Sequence, residues 1–267
     1  MLRKLLKYEF KATGRLIGVV YLAVLAAAVL TGAIGRLSDT TADNPVAFTI
    51  IMLIYIILVI AMLVITIFMI IERFYKNMLQ GEGYLMHTLP GPTWMHVASK
   101  TISALVWEVL AVAVLILSMI LCFLAGGLWK DIFASFDMAE LWTAITQYRV
   151  SAVLIIVAAV IQIVRITLMF YASMAIGASA TRHKIFFSAL TFIAILIVIN
   201  IISTCTNLGF LANMVIVEAD TVNSSEAFQA GVWVNRAMLK QIVLDLSSSV
   251  VLFGLTNFFL KKKLNLE

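Results

Sequence analysis

Long runs of apolar residues separated by short polar segments set the pattern of this chain. An α-helix needs about 20 predominantly apolar residues to cross a hydrocarbon layer roughly 30 Å thick, and six runs have about that length. The prolines Pro45, Pro90 and Pro92 all fall between runs, so no run is broken by a missing backbone donor. The pattern predicts an all-α, polytopic membrane protein with six transmembrane helices, placed at Leu16 to Ile34, Val46 to Ile71, Thr101 to Leu128, Val150 to Ala178, Ile185 to Cys205 and Ala237 to Leu260.

Composition agrees with a lipid environment. Of the 267 residues, 63% are hydrophobic and 12% are charged, whereas a soluble domain has about half apolar and about a quarter charged residues. The net charge of +5 does not indicate nucleic-acid binding, because the basic residues cluster at the ends of the runs instead of forming a patch with interleaved aromatic residues. Cys122 and Cys205 lie inside apolar runs without metal-ligand spacing, and we expect both to be small buried hydrophobic residues.

The distribution of lysine and arginine predicts the orientation of the helices, because basic residues at helix ends favour the cytoplasm. One side has four basic residues among many acidic ones: Arg36, Lys130, Arg149 and Arg236. The other side has thirteen, and we expect it to be cytoplasmic together with both termini: Arg3, Lys4, Lys7, Lys11, Arg15, Arg73, Lys76, Lys100, Arg182, Lys184, Lys261, Lys262 and Lys263. An extracellular loop is expected over residues 206–236.

Residues 1–15 have the pattern of a basic amphipathic helix lying on the inner membrane surface. One side carries Leu2, Leu5, Leu6 and Phe10, and the other carries Arg3, Lys4, Lys7 and Lys11. Glu9 falls within the apolar stripe, so we expect it to have a partner, such as a backbone donor or a cation in the protein. The alternative is that this segment is an ordinary positive flank of the first transmembrane helix.

The connection between the second and third runs, residues 72–100, is too long for a tight turn and too polar to cross the membrane. It contains the run Glu82, Gly83, Tyr84, Leu85, the ending Thr88, Leu89, Pro90, and the pair Ser99, Lys100; the amino-terminal segment contains Leu5, Leu6, Lys7, Tyr8, Glu9, Phe10. In these four motifs and in its topology the chain resembles the permease subunits of ATP-binding-cassette type-2 exporters, especially the small six-span permeases of Gram-positive bacteria.

The resemblance implies a cytoplasmic coupling helix between the second and third spans, which docks in a groove of a separate cytosolic ATPase. The ATPase-coupling residues it implies here are Glu82, Gly83, Tyr84, Leu85, Thr88, Leu89 and Pro90. Gly91 and Pro92 depart from the family's pattern by breaking the sequence after Pro90. The alternative is an inert interfacial loop, with Tyr84 and Trp94 at headgroup level.

The resemblance also implies the partners of the chain. The sequence has no phosphate-binding loop of the form GxxxxGK followed by Ser or Thr, so the ATPase is a different chain and uses the ATP and Mg²⁺. A second permease subunit, in a homodimer or a heterodimer, and the lipids of a bacterial plasma membrane complete the expected surroundings.

Several polar residues fall inside the predicted helices, where an ion costs about 3 kcal/mol or more unless it is paired or hydrated. We expect an ion pair between Glu108 and Arg165, and polar stripes on the fifth and sixth helices that face each other or the dimer seam and line a cargo path. The alternative is that these residues join helices by hydrogen bonds worth about 0.6 to 2 kcal/mol each. The intramembrane candidates are Glu108, Arg165, Asn200, Asn207, Lys240 and Asp245.

The function predicted from these features is transport without an enzymatic activity of this chain. Residues 1–267 would form a single transmembrane permease domain that moves an amphipathic peptide, drug or lipid-like cargo outward, and resistance to antimicrobial peptides is a theme of the family. The sequence has no catalytic motif, and no cluster of histidine, cysteine and carboxylate residues indicates a metal site. The alternatives are a non-transporting membrane sensor, immunity or scaffold protein and an ion-coupled secondary transporter.

Overall fold

The structure, a computed structural model, describes residues 2–41, 45–79, 92–127, 142–143, 146, 148–180, 183–220 and 226–262. Within these ranges the chain forms six long α-helices: α1 (Leu2–Thr41), α2 (Pro45–Leu79), α3 (Thr93–Gly126), α4 (Arg149–Gly177), α5 (Lys184–Asp220) and α6 (Glu226–Lys262). Helix α2 begins at a proline, which suits the first helical position because the missing N–H would have no intrahelical partner there.

All six helices are long and apolar enough to cross a membrane. The candidate spans are Arg3–Leu37, Phe48–Leu79, Thr93–Gly126, Arg149–Gly177, Lys184–Leu208 and Val234–Lys261, and each overlaps one of the predicted apolar runs. The prediction of an all-α protein with six transmembrane helices is therefore confirmed.

The first helix differs from the prediction at its amino-terminal end. Residues 1–15 do not form a separate interfacial helix, because α1 continues from Leu2 through the first apolar run. No proline interrupts the join, and the Thr13 hydroxyl is satisfied within the helix by donating to the Glu9 carbonyl at 2.7 Å. The basic residues of this segment therefore belong to the same rigid helix as the first span.

The connections are also shorter than predicted, because the helices extend beyond the apolar runs. The loop expected over residues 206–236 is largely helical, since α5 continues to Asp220 and α6 begins at Glu226. The connection expected over residues 72–100 is likewise shorter, since α2 reaches Leu79 and α3 begins at Thr93. The seven predicted ATPase-coupling residues, Glu82, Gly83, Tyr84, Leu85, Thr88, Leu89 and Pro90, lie outside the described residues.

One compact unit comprises Met1–Arg73 and Ile102–Trp142. Its core gathers Ile17, Tyr21 and Val24 of α1 with Met62 of α2 and Ala111 of α3. The Tyr21 hydroxyl donates to the Trp107 carbonyl at 2.9 Å and also lies 3.3 Å from Thr66 Oγ1, so this buried polar atom is satisfied.

An ion pair joins α1 to α2 in the same unit. Glu9 is only 8% exposed, and its Oε2 lies 3.6 Å from Nε of Arg73. The expectation of a cation in the protein as partner for Glu9 is confirmed. One turn further along α1, Thr13 accepts a hydrogen bond from Trp107 Nε1 at 2.8 Å, which connects α1 to α3.

The other unit comprises Phe74–Thr101 and Thr143–Glu267, and within it α4 packs against both α5 and α6. Tyr171 of α4 is buried and stacks on Phe74, with 3.9 Å between the ring centroids. Thr191 of α5 donates to the Ser173 carbonyl of α4 at 3.1 Å. Cys205 of α5 is exposed and Cys122 is half-buried. The expectation of burial is therefore wrong for Cys205 and only partly met for Cys122.

Helices α4 and α5 approach closely at Gly177, the last residue of α4. A Cβ atom added there would lie 2.6 Å from Cα of Ser188 and would also overlap its side chain. Ser188 has little room to move, because its hydroxyl donates to the Lys184 carbonyl at 2.9 Å within the first turns of α5. A small residue at such a contact lets two membrane helices pack closely.

Substitution of Gly177 by alanine should therefore destabilise the protein. We expect Gly177→Ala to lower the free energy of unfolding by about 1 to 3 kcal/mol, since the overlap involves backbone atoms that must shift. The matched control is Gly254→Ala in α6, where an added Cβ meets nothing within 4 Å. The control should be neutral or should stabilise by up to about 1 kcal/mol through helix propensity. Unfolding in mixed micelles measures both, and equal effects would contradict the close approach.

Candidate functional site

Polar residues of α4, α5 and α6 line one cavity of about 480 Å³. The spacing along each helix places these residues together, because positions three, four and seven apart share a helical face. Gln241, Asp245 and Ser248 lie on α6, and Asn200 and Ser203 lie on α5. Arg165 of α4 and Ser247 of α6 complete the polar lining. The two polar stripes expected on the fifth and sixth helices thus contribute to the same cavity.

The strongest interaction in this cavity is an ion pair between α4 and α6. Arg165 Nε lies 2.9 Å from Asp245 Oδ1, and the side chains are 14% and 4% exposed. The Arg165 Nε–H makes no hydrogen bond within the described part of the chain, so the contact is ionic without an aligned donor. Both residues lie in the middle third of their helices. Each charge therefore has its counter-charge at a depth where an isolated ion would be costly.

The Asp245 carboxylate has a second partner on its own helix. Gln241 Nε2 donates to Asp245 Oδ1 at 3.0 Å. Ser248 and Ser249 both donate to the Asp245 carbonyl, at 3.0 Å and 2.6 Å. Such bonds to a preceding carbonyl satisfy a hydroxyl inside a helix without help from a neighbouring helix.

Other polar candidates of the sequence lie elsewhere. Glu108 lies on α3 in the unit that contains α1, and the partner expected for it, Arg165, is paired with Asp245 instead. The structure thus gives Arg165 a counter-charge that the sequence did not predict, and the expected Glu108 to Arg165 pair stays a prediction. The spacing of polar residues in the sequence predicts the polar face of α4, but it does not predict which helix packs against that face.

Lys240 connects α6 to α5 beyond the cavity lining. Its ammonium group donates to the Thr206 carbonyl and lies 3.2 Å from Asn207 Oδ1. Asn200 lines the cavity, and its Nδ2 donates to the Leu196 carbonyl at 2.8 Å. Of the six intramembrane candidates, Arg165, Asn200 and Asp245 meet in the cavity, while Asn207 and Lys240 bind each other.

The apolar part of the cavity could not be predicted from the sequence. Leu244, Leu252 and Leu255 of α6 form much of it with Val198 and Ile199 of α5. Their only signal in the sequence is that they lie within one or two helical turns of the polar stripes. No group of three or more histidine, cysteine, aspartate or glutamate side chains that could hold a metal ion occurs in the described ranges.

Comparison with known proteins adds no relative. No family model, no curated protein and no solved structure matches the chain. The geometry of the cavity and the motifs of the sequence are therefore the basis of the functional proposal.

Removing either charge of the buried pair should destabilise the protein. We expect Arg165→Gln and Asp245→Asn each to lower the free energy of unfolding by about 3 kcal/mol, because each leaves an uncompensated charge. The double variant should lose at least about 1 kcal/mol less than the sum, since neither charge remains. Unfolding in mixed micelles gives all three values.

The control for this cycle is Ser247→Ala on the same helix. The Ser247 hydroxyl is exposed and donates to the Leu244 carbonyl at 2.9 Å. Its removal should change the free energy of unfolding by less than about 0.5 kcal/mol. Strict additivity of the two charge-removing substitutions would show that Arg165 and Asp245 do not interact.

Proposed function

We propose that this chain is the permease subunit of an ATP-binding-cassette exporter in a bacterial plasma membrane, with both termini in the cytoplasm. The chain would move an amphipathic peptide, drug or lipid-like cargo outward, and a separate cytosolic ATPase would supply the energy. The proposal is supported by six helices that can span a membrane and by the four motifs in the sequence that resemble this family.

The observation that carries the proposal is the cavity among α4, α5 and α6. The cavity measures about 480 Å³, within the range of about 300 to 1,000 Å³ that holds a drug-sized ligand, and it opens to the surface beside Val198 and Val251. An ion pair on one part of the wall and aliphatic side chains on another suit a cargo that is itself amphipathic.

Energy coupling is assigned to residues 72–100 on the strength of the resemblance. Movement of an ATPase can reach membrane helices only through a rigid contact at the inner surface. The last turns of α2, residues 72–79, and the first turns of α3, residues 93–100, belong to this segment, and both helices are long and continuous, which suits the transfer of a displacement into the membrane. A working transporter would contain two permease subunits and two ATPase subunits, and the ATPase subunits would bind ATP and Mg²⁺.

Cross-linking from the proposed coupling segment tests this function. In a background with Cys122→Ala and Cys205→Ala, a cysteine introduced as Tyr84→Cys should form a cross-link to a nucleotide-hydrolysing subunit in membranes that contain the native neighbours of the chain. Trp142→Cys is the matched control, because Trp142 is 67% exposed and belongs to the connection predicted on the other side. It should capture no such subunit. Mass spectrometry of the products identifies the partner.

Two outcomes would contradict the proposal. One is capture of no nucleotide hydrolase from position 84. The other is labelling of Tyr84→Cys in intact cells by a membrane-impermeant thiol reagent, which would place the segment outside the cell.

The buried ion pair favours ion-coupled secondary transport as a second candidate. Ionisable residues inside spans mark ion and proton pathways in many transporters, and Arg165 and Asp245 line the cavity. Vesicles that contain the chain without any ATPase distinguish the two candidates. Accumulation of a labelled amphiphile driven by an imposed proton gradient would support the second candidate and contradict the first.

A further inference from the structure

Arg165 has unused hydrogen-bonding capacity inside the cavity. A guanidinium group carries five N–H donors. Within the described residues, the structure gives Arg165 one ionic contact, from Nε to Asp245, and no hydrogen bond from that atom. The remaining donors belong to a side chain that lines the cavity and is 14% exposed. A ligand with acceptor oxygens would therefore satisfy a group that the protein leaves open.

The apolar wall of the cavity reaches the surface at membrane depth. Val198 of α5 and Val251 of α6 line the cavity, yet they are 54% and 60% exposed. Both lie within candidate spans. The surroundings that meet this opening are therefore hydrocarbon rather than water, so the most abundant molecules able to enter are lipids.

We propose that the cavity binds a lipid-like amphiphile whose headgroup carries a phosphate or carboxylate, with Arg165 contacting the oxyanion and an aliphatic chain lying along α5 and α6. The planar guanidinium matches two oxygens of such a group, and charge-assisted bonds of this kind are about twice as strong as neutral ones. A volume of about 480 Å³ is in the range of about 300 to 1,000 Å³ that holds a drug-sized ligand. It suits one headgroup with part of a chain better than a folded peptide.

Asp245 acts in this site as a competitor for Arg165. Gln241 donates to the same carboxylate oxygen at 3.0 Å, so Asp245 keeps a partner when the guanidinium turns to a ligand. Removal of the Asp245 charge should therefore strengthen binding of an anion. If the ion pair only held the helices together, the same change would disturb the cavity and weaken binding.

Ligand binding to the purified full-length chain in phosphatidylcholine nanodiscs tests the proposal. The probe is a fluorescent lysophosphatidic acid, competed with palmitate, with monopalmitoylglycerol and with inorganic phosphate. Lysophosphatidic acid and palmitate should bind at least about tenfold more tightly than the neutral monopalmitoylglycerol, which corresponds to one charge-assisted hydrogen bond. Inorganic phosphate should not displace the probe, because it has no aliphatic part.

Variants identify the residue that holds the headgroup. Arg165→Gln should weaken binding of the probe about tenfold or more, and Arg165→Lys should fall between it and the unmodified chain. Asp245→Asn should tighten binding about threefold or more, since the competing carboxylate is gone. Lys261→Gln is the control for non-specific attraction, because Lys261 is exposed at the end of α6. It should leave the affinity unchanged.

The double variant Arg165→Gln with Asp245→Asn can be measured even if the single variant Arg165→Gln does not fold. It removes both charges and should lose preference for the anionic amphiphiles over monopalmitoylglycerol. Equal affinity of the unmodified chain for anionic and neutral amphiphiles would overturn the proposal. Weaker binding by Asp245→Asn would do the same, and displacement by inorganic phosphate would exclude a lipid-like ligand.

The proposal that the chain binds the amphiphile depends on the cavity alone. The role of the amphiphile as cargo rests on the proposed function. The two can fail separately. Binding without any captured ATPase would leave a lipid site in a protein that is not a cassette permease. Capture of the ATPase without selective binding would leave a cassette permease with a different cargo.

Discussion

The absence of water from the hydrocarbon layer constrains every charged side chain that lies inside a span. An ion at that depth needs a counter-charge, a polar partner or water, and the pair formed by Arg165 and Asp245 meets this requirement between α4 and α6. The polar faces of α5 and α6 contribute to the cavity around this pair. In the other compact unit, a second ion pair joins Glu9 of α1 to Arg73 of α2, near the helix ends that the sequence predicts to be cytoplasmic.

Hydroxyl groups follow a different rule, which determines how much polarity the cavity offers to a ligand. Ser247 and Ser248 of α6, which line the cavity, each donate to a carbonyl one turn earlier on the same helix. They are therefore satisfied locally, and they need neither a neighbouring helix nor a ligand. The charges of the cavity are those of Arg165 and Asp245, and much of the remaining wall is aliphatic.

Helix number and polar faces could be predicted from the sequence, whereas the pairing of faces could not. A transmembrane helix is recognised by about 20 consecutive apolar residues. In the same way, the spacing of Gln241, Asp245 and Ser248 defines one polar side of α6. That spacing does not show which helix lies opposite, so the sequence predicts Glu108 as the partner of Arg165, whereas the structure shows Asp245. Lys100 shows the same limit. It lies in α3, which begins at Thr93, and it is 4% exposed, a burial that the sequence pattern did not predict. The coupling residues predicted around Tyr84 rest on the motifs of the sequence alone.

The unbroken course of α1 has a practical consequence for imaging. At about 1.5 Å per residue, the 40 residues of this helix extend about 60 Å, which is about twice the thickness of the hydrocarbon layer. Its amino-terminal turns are held to α2 and α3 through Glu9 and Thr13 instead of a flexible joint. A helical fusion partner grafted in register onto that end would keep a fixed direction, and it would supply the alignment marker that a small protein embedded in a micelle lacks for electron microscopy.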